Sequence, residues 1–186
     1  DDTANLQGAS ETDDPLELVT PYCFSSPLAP LVAGRIERKK IMLSKILRAY
    51  RQLKQRHAFM LVEGIGGILV PITKKTRVLE LIQLLDLPLL IVARSGLGTL
   101  NHTLLTVHRA KEAGITVAAI VLNTSQPQKQ GLAEKTNAGI LAELAGLPVF
   151  GPIPYIEGLQ LNKRGFKKIL KSFEPWRDGL LRLMLS

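Results

Sequence analysis

Leu87-Pro88-Leu89-Leu90-Ile91-Val92-Ala93 and Val117-Ala118-Ala119-Ile120-Val121-Leu122-Asn123, with a helical pattern at about 99 to 113 between them, decide the fold of this chain. Each is a short continuous apolar run, the pattern of a parallel strand buried on both faces. Strand, helix, strand at this spacing predicts right-handed βαβ units. Ala58 to Val62 reads as an earlier strand of the same kind, and Val149-Phe150-Gly151-Pro152-Ile153-Pro154 as a weaker fourth. Helical patterns are expected at about 76 to 85 and 130 to 145 as well, with Gly114 and Gly146 as stop signals. Segments 164 to 173 and 175 to 185 read as terminal helices packed outside the sheet. The fold class is therefore α/β, a parallel sheet with flanking helices.

The earliest of these runs ends abnormally. After Val62 come Glu63-Gly64-Ile65-Gly66-Gly67, a carboxylate and three glycines at what would be the carboxyl end of a strand. In open α/β sheets that edge forms the ligand crevice, where an acidic side chain can hold a magnesium ion bridging phosphate oxygens. The glycines let the backbone pass close to a ligand and adopt positive φ. A surface turn with a capping or solvated Glu is the plainer alternative.

The other strand ends add candidates. Ala93-Arg94-Ser95-Gly96-Leu97-Gly98-Thr99-Leu100-Asn101-His102 is a glycine-containing loop opening a helix, whose free N–H groups favour a carboxylate or phosphate, unless Thr99 or Asn101 merely caps. Asn123 carries an amide that can read the edge of an adenine, although a lone Asn is more often a turn former. Pro152-Ile153-Pro154-Tyr155 offers a rigid apolar wall, suited to a flat base or to plain packing.

Composition narrows the classes. A chain of 186 residues, 46% hydrophobic, fits one domain with a substantial core. Its only cysteine, Cys23, excludes an intrachain disulfide and is expected as a small buried apolar side chain. No run reaches the roughly 18 apolar residues needed to span a membrane, and Asp1-Asp2-Thr3 is unlike a signal peptide. A soluble cytoplasmic protein without membrane partners is expected. The net charge of +8 is concentrated. Arg35, Arg38, Lys39, Lys40, Lys45, Arg48, Arg51, Lys54 and Arg56 fall in one helical stretch whose apolar stripe is Ile41, Leu43, Ile46, Leu47, Tyr50 and Leu53. That pattern predicts a solvated basic face rather than a nucleic-acid interface, which would need stacking aromatics.

Taken together these segments resemble dethiobiotin synthetase, of the P-loop NTPase class. Val62-Glu63-Gly64-Ile65-Gly66-Gly67 resembles the family's V-E-G-A-G-G, and Leu97 to His102 its L-G-x-[IL]-N-H. Leu122-Asn123 resembles its adenine-binding strand end, and Gly151-Pro152-Ile153-Pro154-Tyr155 its G-x-I-P-[YW]. Pro21-Tyr22-Cys23-Phe24 and the prolines Pro27 and Pro30 echo its N-P-Y-x-F and Pro-rich turn. The landmarks cover about residues 1 to 156.

The resemblance implies a Rossmann-like three-layer fold and an ATP- and Mg2+-dependent ligase of biotin synthesis. There, 7,8-diaminononanoate takes up CO2 as a carbamate, ATP phosphorylates it, and the second amine closes the ureido ring. Asp2 and Glu63 would be the metal ligands. Glu63, Gly64, Ile65, Gly66, Asn123, Thr124, Pro154, Tyr155 and Ile156, with Asp2, would contact ATP. Gly98, Thr99 and Asn101 would hold the substrate carboxylate across a homodimer interface. Leu31 and Thr124 depart from the residues many relatives carry there. The family's phosphate loop, G-x-x-x-x-G-K-[ST], and its lysines belong ahead of the Asp2 region, and this sequence contains no such motif. The expectation is one dethiobiotin synthetase-like domain over 1–186, its helical C-terminal part at 157–186, lacking its first βα unit. Its activity is then doubtful, its catalytic residues lie outside it, and its isolated form is poorly stable. An inactive paralogue or fragment serving as a dimerising or binding module, and another amide-forming or partitioning ATPase of the class, are the alternatives.

Overall fold

A computed structural model describes residues 2–127, 131–160 and 162–185, without the side chains of Asp2, Lys163, Arg164, Met184 and Leu185. The chain forms two compact units, Asp1–Leu85 and Asp86–Ser186.

The second unit is the α/β part. Strands β1 (Leu89–Arg94), β2 (Val117–Asn123) and β3 (Val149–Ile153) form a parallel sheet in the order β1-β2-β3. Helices α6 (Thr99–Glu112) and α7 (Leu132–Ala145) make the two crossovers. The sheet is built around β2, in which Ala119, Ile120, Val121 and Leu122 are buried. Each fully buried Ile or Leu contributes about 1.5–3 kcal/mol relative to exposure, so this strand anchors the unit. Two glycines end the helices as expected: Gly114 has φ +74, and Gly146 caps α7 in the left-handed region. Strand β1 starts only after Pro88, which has no N–H to donate to a ladder. Two helices follow β3, α8 (Lys163–Phe173) and α9 (Arg177–Leu185), joined by a 3-10 turn at Glu174–Trp176.

The first unit is helical: α1 (Asp2–Ser10), α2 (Leu16–Val19), α3 (Pro30–Ile36), α4 (Leu43–Arg56) and α5 (Val78–Leu85). Three sequence expectations are corrected here. Ala58 to Val62 is not a strand: no described residue pairs with it, and Phe59, Leu61 and Val62 are 50%, 70% and 45% exposed. Strand composition describes a surface that suits a sheet, and it forms a strand only where a ladder receives it. The basic stretch is not one helix either. It breaks at Glu37–Met42, where Arg38 has φ +54, although Ile41, Leu43, Ile46, Leu47, Tyr50 and Leu53 do form its half-buried stripe. Cys23 is exposed rather than buried; it sits in a loop outside any helix or strand, and its carbonyl accepts from the Lys39 ammonium.

Candidate nucleotide cleft and strand-end loops

A parallel sheet brings the carboxyl ends of its strands to one edge. In the second unit Arg94 of β1 is in register with Asn123 of β2, and Asn123 with Ile153 of β3. The backbone continues the ladder past the strands: Ser95 N–H donates to the Asn123 carbonyl at 3.2 Å and Thr124 N–H to the Ile153 carbonyl at 3.0 Å. Gly151 makes this edge possible. Its φ is +101, and a Cβ there would lie 2.4 Å from the Leu122 carbonyl oxygen.

Along this edge and onto the sheet face lies a cleft of about 750 Å³, within the range of small-molecule sites. Asn123, Thr124, Pro154, Tyr155 and Ile156 all line it, so the five residues of this unit expected at ATP are brought together. Its floor and far wall are apolar, from Leu90 and Val92 on β1 to Ile169, Phe173 and Leu180 on α8 and α9. Sequence reasoning missed these wall residues. The signal that could have found them is the helical spacing of Phe166, Ile169 and Phe173 within segment 164 to 173. One amide at the mouth of an apolar slot can hold a flat heterocycle and read its edge.

The loop after β1 holds the residues expected at substrate. Gly98 is left-handed at φ +89 and precedes α6 with no side-chain cap, a conformation that favours glycine. Gly98 and Asn101 are exposed, whereas Thr99 is buried and its hydroxyl meets that of Thr103 at 3.1 Å. Thr99 therefore seats the helix start, and its side chain faces inward.

In the first unit Glu63, Gly64, Ile65 and Gly66 form an exposed loop. Gly66 has φ +64, and a Cβ on it would stand 2.9 Å from Val70, while one on Gly64 would stand 3.2 Å from Val78. The tight backbone foreseen from the three glycines is present at Gly64 and Gly66, whereas Gly67 has open space around it and no positive φ. Asp2 opens α1, and its side chain lies outside the described residues. Among the described residues no three His, Cys, Asp or Glu side chains cluster as a metal site. A single exposed carboxylate, Glu63, suits a hard cation that takes its remaining oxygens from phosphate and water.

The most buried acid of this unit was not foreseen. Asp14, 7% exposed, accepts hydrogen bonds from the Thr12 hydroxyl at 2.5 Å and Arg56 Nη1 at 2.9 Å, and pairs with His57 Nε2 at 2.5 Å. The Thr12 hydroxyl, then the Arg56 guanidinium, with His57 adding, hold its carboxyl down to about 2. The cluster ties the loop after α1 to the end of α4. Other bases are also engaged locally: Lys45 lies 4.7 Å from the Tyr22 ring centroid and donates to the Pro21 carbonyl.

The parallel sheet with its flanking helices is an α/β fold consistent with the P-loop NTPase class, and residues 1–163 match the family model described as an AAA domain. Similarity to curated proteins is more specific. The chain is 39% identical over 176 residues to the ATP-dependent dethiobiotin synthetase BioD of Thermodesulfovibrio yellowstonii, covering 91% of this chain and 73% of that one. It is 40% identical over 169 residues to the enzyme of that name from Anaeromyxobacter dehalogenans, covering 91% and 75%. For that from Bacillus licheniformis the identity is 44% over 158 residues, covering 84% and 66%. The chain belongs to the ATP-dependent dethiobiotin synthetase family. No helix among the described residues is long and apolar enough to cross a membrane.

Proposed function

We propose that this chain serves the ATP-dependent closure of the ureido ring of dethiobiotin in biotin synthesis. One amine of 7,8-diaminononanoate adds to CO2 and loses a proton, giving a carbamate. The carbamate oxygen takes the γ-phosphoryl group of ATP with release of ADP, and the second amine attacks the activated carbonyl and expels phosphate. The observation that carries this reading is the cleft lined by Asn123, Thr124, Pro154, Tyr155 and Ile156, in a chain whose relatives bear that enzyme's name.

Asn123 and Thr124 read the base, and Pro154, Tyr155 and Ile156 wall it. Gly98 and Asn101 receive the substrate carboxylate at the start of α6, which Thr99 seats from behind. Glu63, with Asp2, would hold Mg2+, and the narrow backbone of Gly64, Ile65 and Gly66 lets phosphate approach. Magnesium bound there would offset the charge of the phosphates. A homodimer working in the cytoplasm completes the reading. A second reading is a module that holds nucleotide, or another copy, without turnover; residues 1–186 carry no G-x-x-x-x-G-K-[ST] motif.

The test is dethiobiotin formation from 7,8-diaminononanoate, bicarbonate and Mg-ATP. In a chain that also carries the family's phosphate loop, Glu63→Gln should lower turnover about a hundredfold or more, the scale of losing one charge-stabilising group, with an unchanged circular dichroism spectrum. Equal turnover would remove Glu63 from the metal, and nucleotide binding with no turnover in the unsubstituted chain would favour the second reading.

A further inference from the structure

In the second unit Ser95, Thr99, Thr103 and Asn137 are buried polar residues. A polar group hidden from water costs free energy unless it is bonded, so its partners identify what it holds in place. Asn137 stands on α7 and is 5% exposed. Its Nδ2 donates to the Ser95 carbonyl at 2.9 Å and reaches the Gly96 carbonyl at 3.4 Å. Both carbonyls belong to the loop between β1 and α6.

The same loop is fastened on another side. Ser95 Oγ lies 3.0 Å from Thr124 Oγ1, and Ser95 N–H donates to the Asn123 carbonyl. Asn123 and Thr124 both line the cleft. From its inner side, then, the loop is held by α7 and by the end of β2, while Leu97, at 92% exposure, Gly98 and Asn101 face outward. A segment containing Gly96 and Gly98 has wide conformational freedom without such fastening.

We propose that Asn137 is a positioning residue for substrate: by holding the Ser95 and Gly96 carbonyls it sets the direction in which Gly98 and Asn101 are presented. It touches no ligand and acts through the loop. The inference rests on the assignment of that loop to the diamine's carboxylate in the preceding subsection. Asn137→Ala removes the donor and leaves two loop carbonyls without it, so the loop should fluctuate while the cleft residues stay in place.

The experiment measures binding of 7,8-diaminononanoate and of Mg-ATP separately by calorimetry, and amide hydrogen exchange over residues 96–101 by mass spectrometry. In Asn137→Ala the diamine should bind about tenfold more weakly, the equivalent of one buried hydrogen bond. Nucleotide affinity should stay within about twofold, and exchange should quicken in the loop alone. Equal losses for both ligands, or unchanged diamine affinity, would overturn the proposal. If Asn137→Ala does not fold, Asn137→Leu, which fills the same space without a donor for the Ser95 and Gly96 carbonyls, should show the same selective loss, and its absence overturns the proposal equally. Binding of nucleotide without the diamine by the unsubstituted chain would defeat the substrate assignment itself, and this inference with it. Binding of both with no response to Asn137→Ala defeats the inference alone.

Discussion

Ala58 to Val62 and Val117 to Asn123 are both apolar runs leading to a polar residue at a loop, yet one lies open as loop and the other is the most buried strand among the described residues. The difference is one of neighbours. Strand β2 has a parallel partner on each side, so its peptide groups are bonded and its side chains covered. Residues 58–62 form no ladder with any described residue, and Leu61 is 70% exposed. Apolar composition states what a segment can bury; partners decide whether it does.

Substitutions in the two runs should separate them sharply. Ile120→Ala, at a side chain with no exposure, should cost about 2–5 kcal/mol in urea denaturation followed by circular dichroism. Leu61→Ala should cost under about 0.5 kcal/mol, as surface changes do. Comparable losses at the two sites would show that 58–62 is buried in solution and would erase the contrast.

Glycines sharpen it next. Gly151→Ala places a methyl group against the Leu122 carbonyl at φ +101 and should destabilise by about 1–3 kcal/mol. Gly67→Ala, with open space around it and no positive φ, should stay within about 0.5 kcal/mol of the unsubstituted chain, by the same measurement. A neutral Gly151→Ala would mean that the β2–β3 edge relaxes easily.

A smaller effect concerns acid. Asp14 titrates at about 2 against an ordinary 3.8 because of Thr12, Arg56 and His57. Glu80 is lowered from 4.5 to about 2, chiefly by the Arg77 guanidinium and also by the Arg77 backbone N–H. With folded values below unfolded ones, both carboxylates contribute stability that is complete above their ordinary values and is lost as pH falls through that range toward 2. Thermal unfolding between about pH 5 and 2 should therefore steepen in its acid limb. Asp14→Asn should flatten that limb while lowering the melting temperature near neutrality. An unchanged limb would mean that the cluster does not persist in solution.

Much of the second unit was legible in the sequence. Its strands follow from uninterrupted apolar runs and its helix ends from Gly114 and Gly146, because these signals are local. The cleft was half legible: Asn123 and the Pro154–Ile156 segment announce themselves by type and place, whereas Ile169, Phe173 and Leu180 come from helices far along the chain. Asp14, Arg56 and His57 were not assembled in advance, since residues more than forty positions apart carry no mark of meeting. The exposure of Cys23 was missed for a related reason, because side-chain type records a tendency to be buried rather than a location.

The sequence by itself determined the α/β class, the positions of β1 to β3, the positive φ at Gly66, and the resemblance that the comparison with known proteins bore out. These rest on local backbone preferences and on short ordered motifs, which are properties of adjacent residues. Only the tertiary structure decided that residues 58–62 stay unpaired, that Thr99 turns inward, and that Asn137 reaches the Ser95 carbonyl. Hydrogen bonding and burial between distant segments depend on which surfaces come together in the folded chain, and no window of neighbouring residues contains that information.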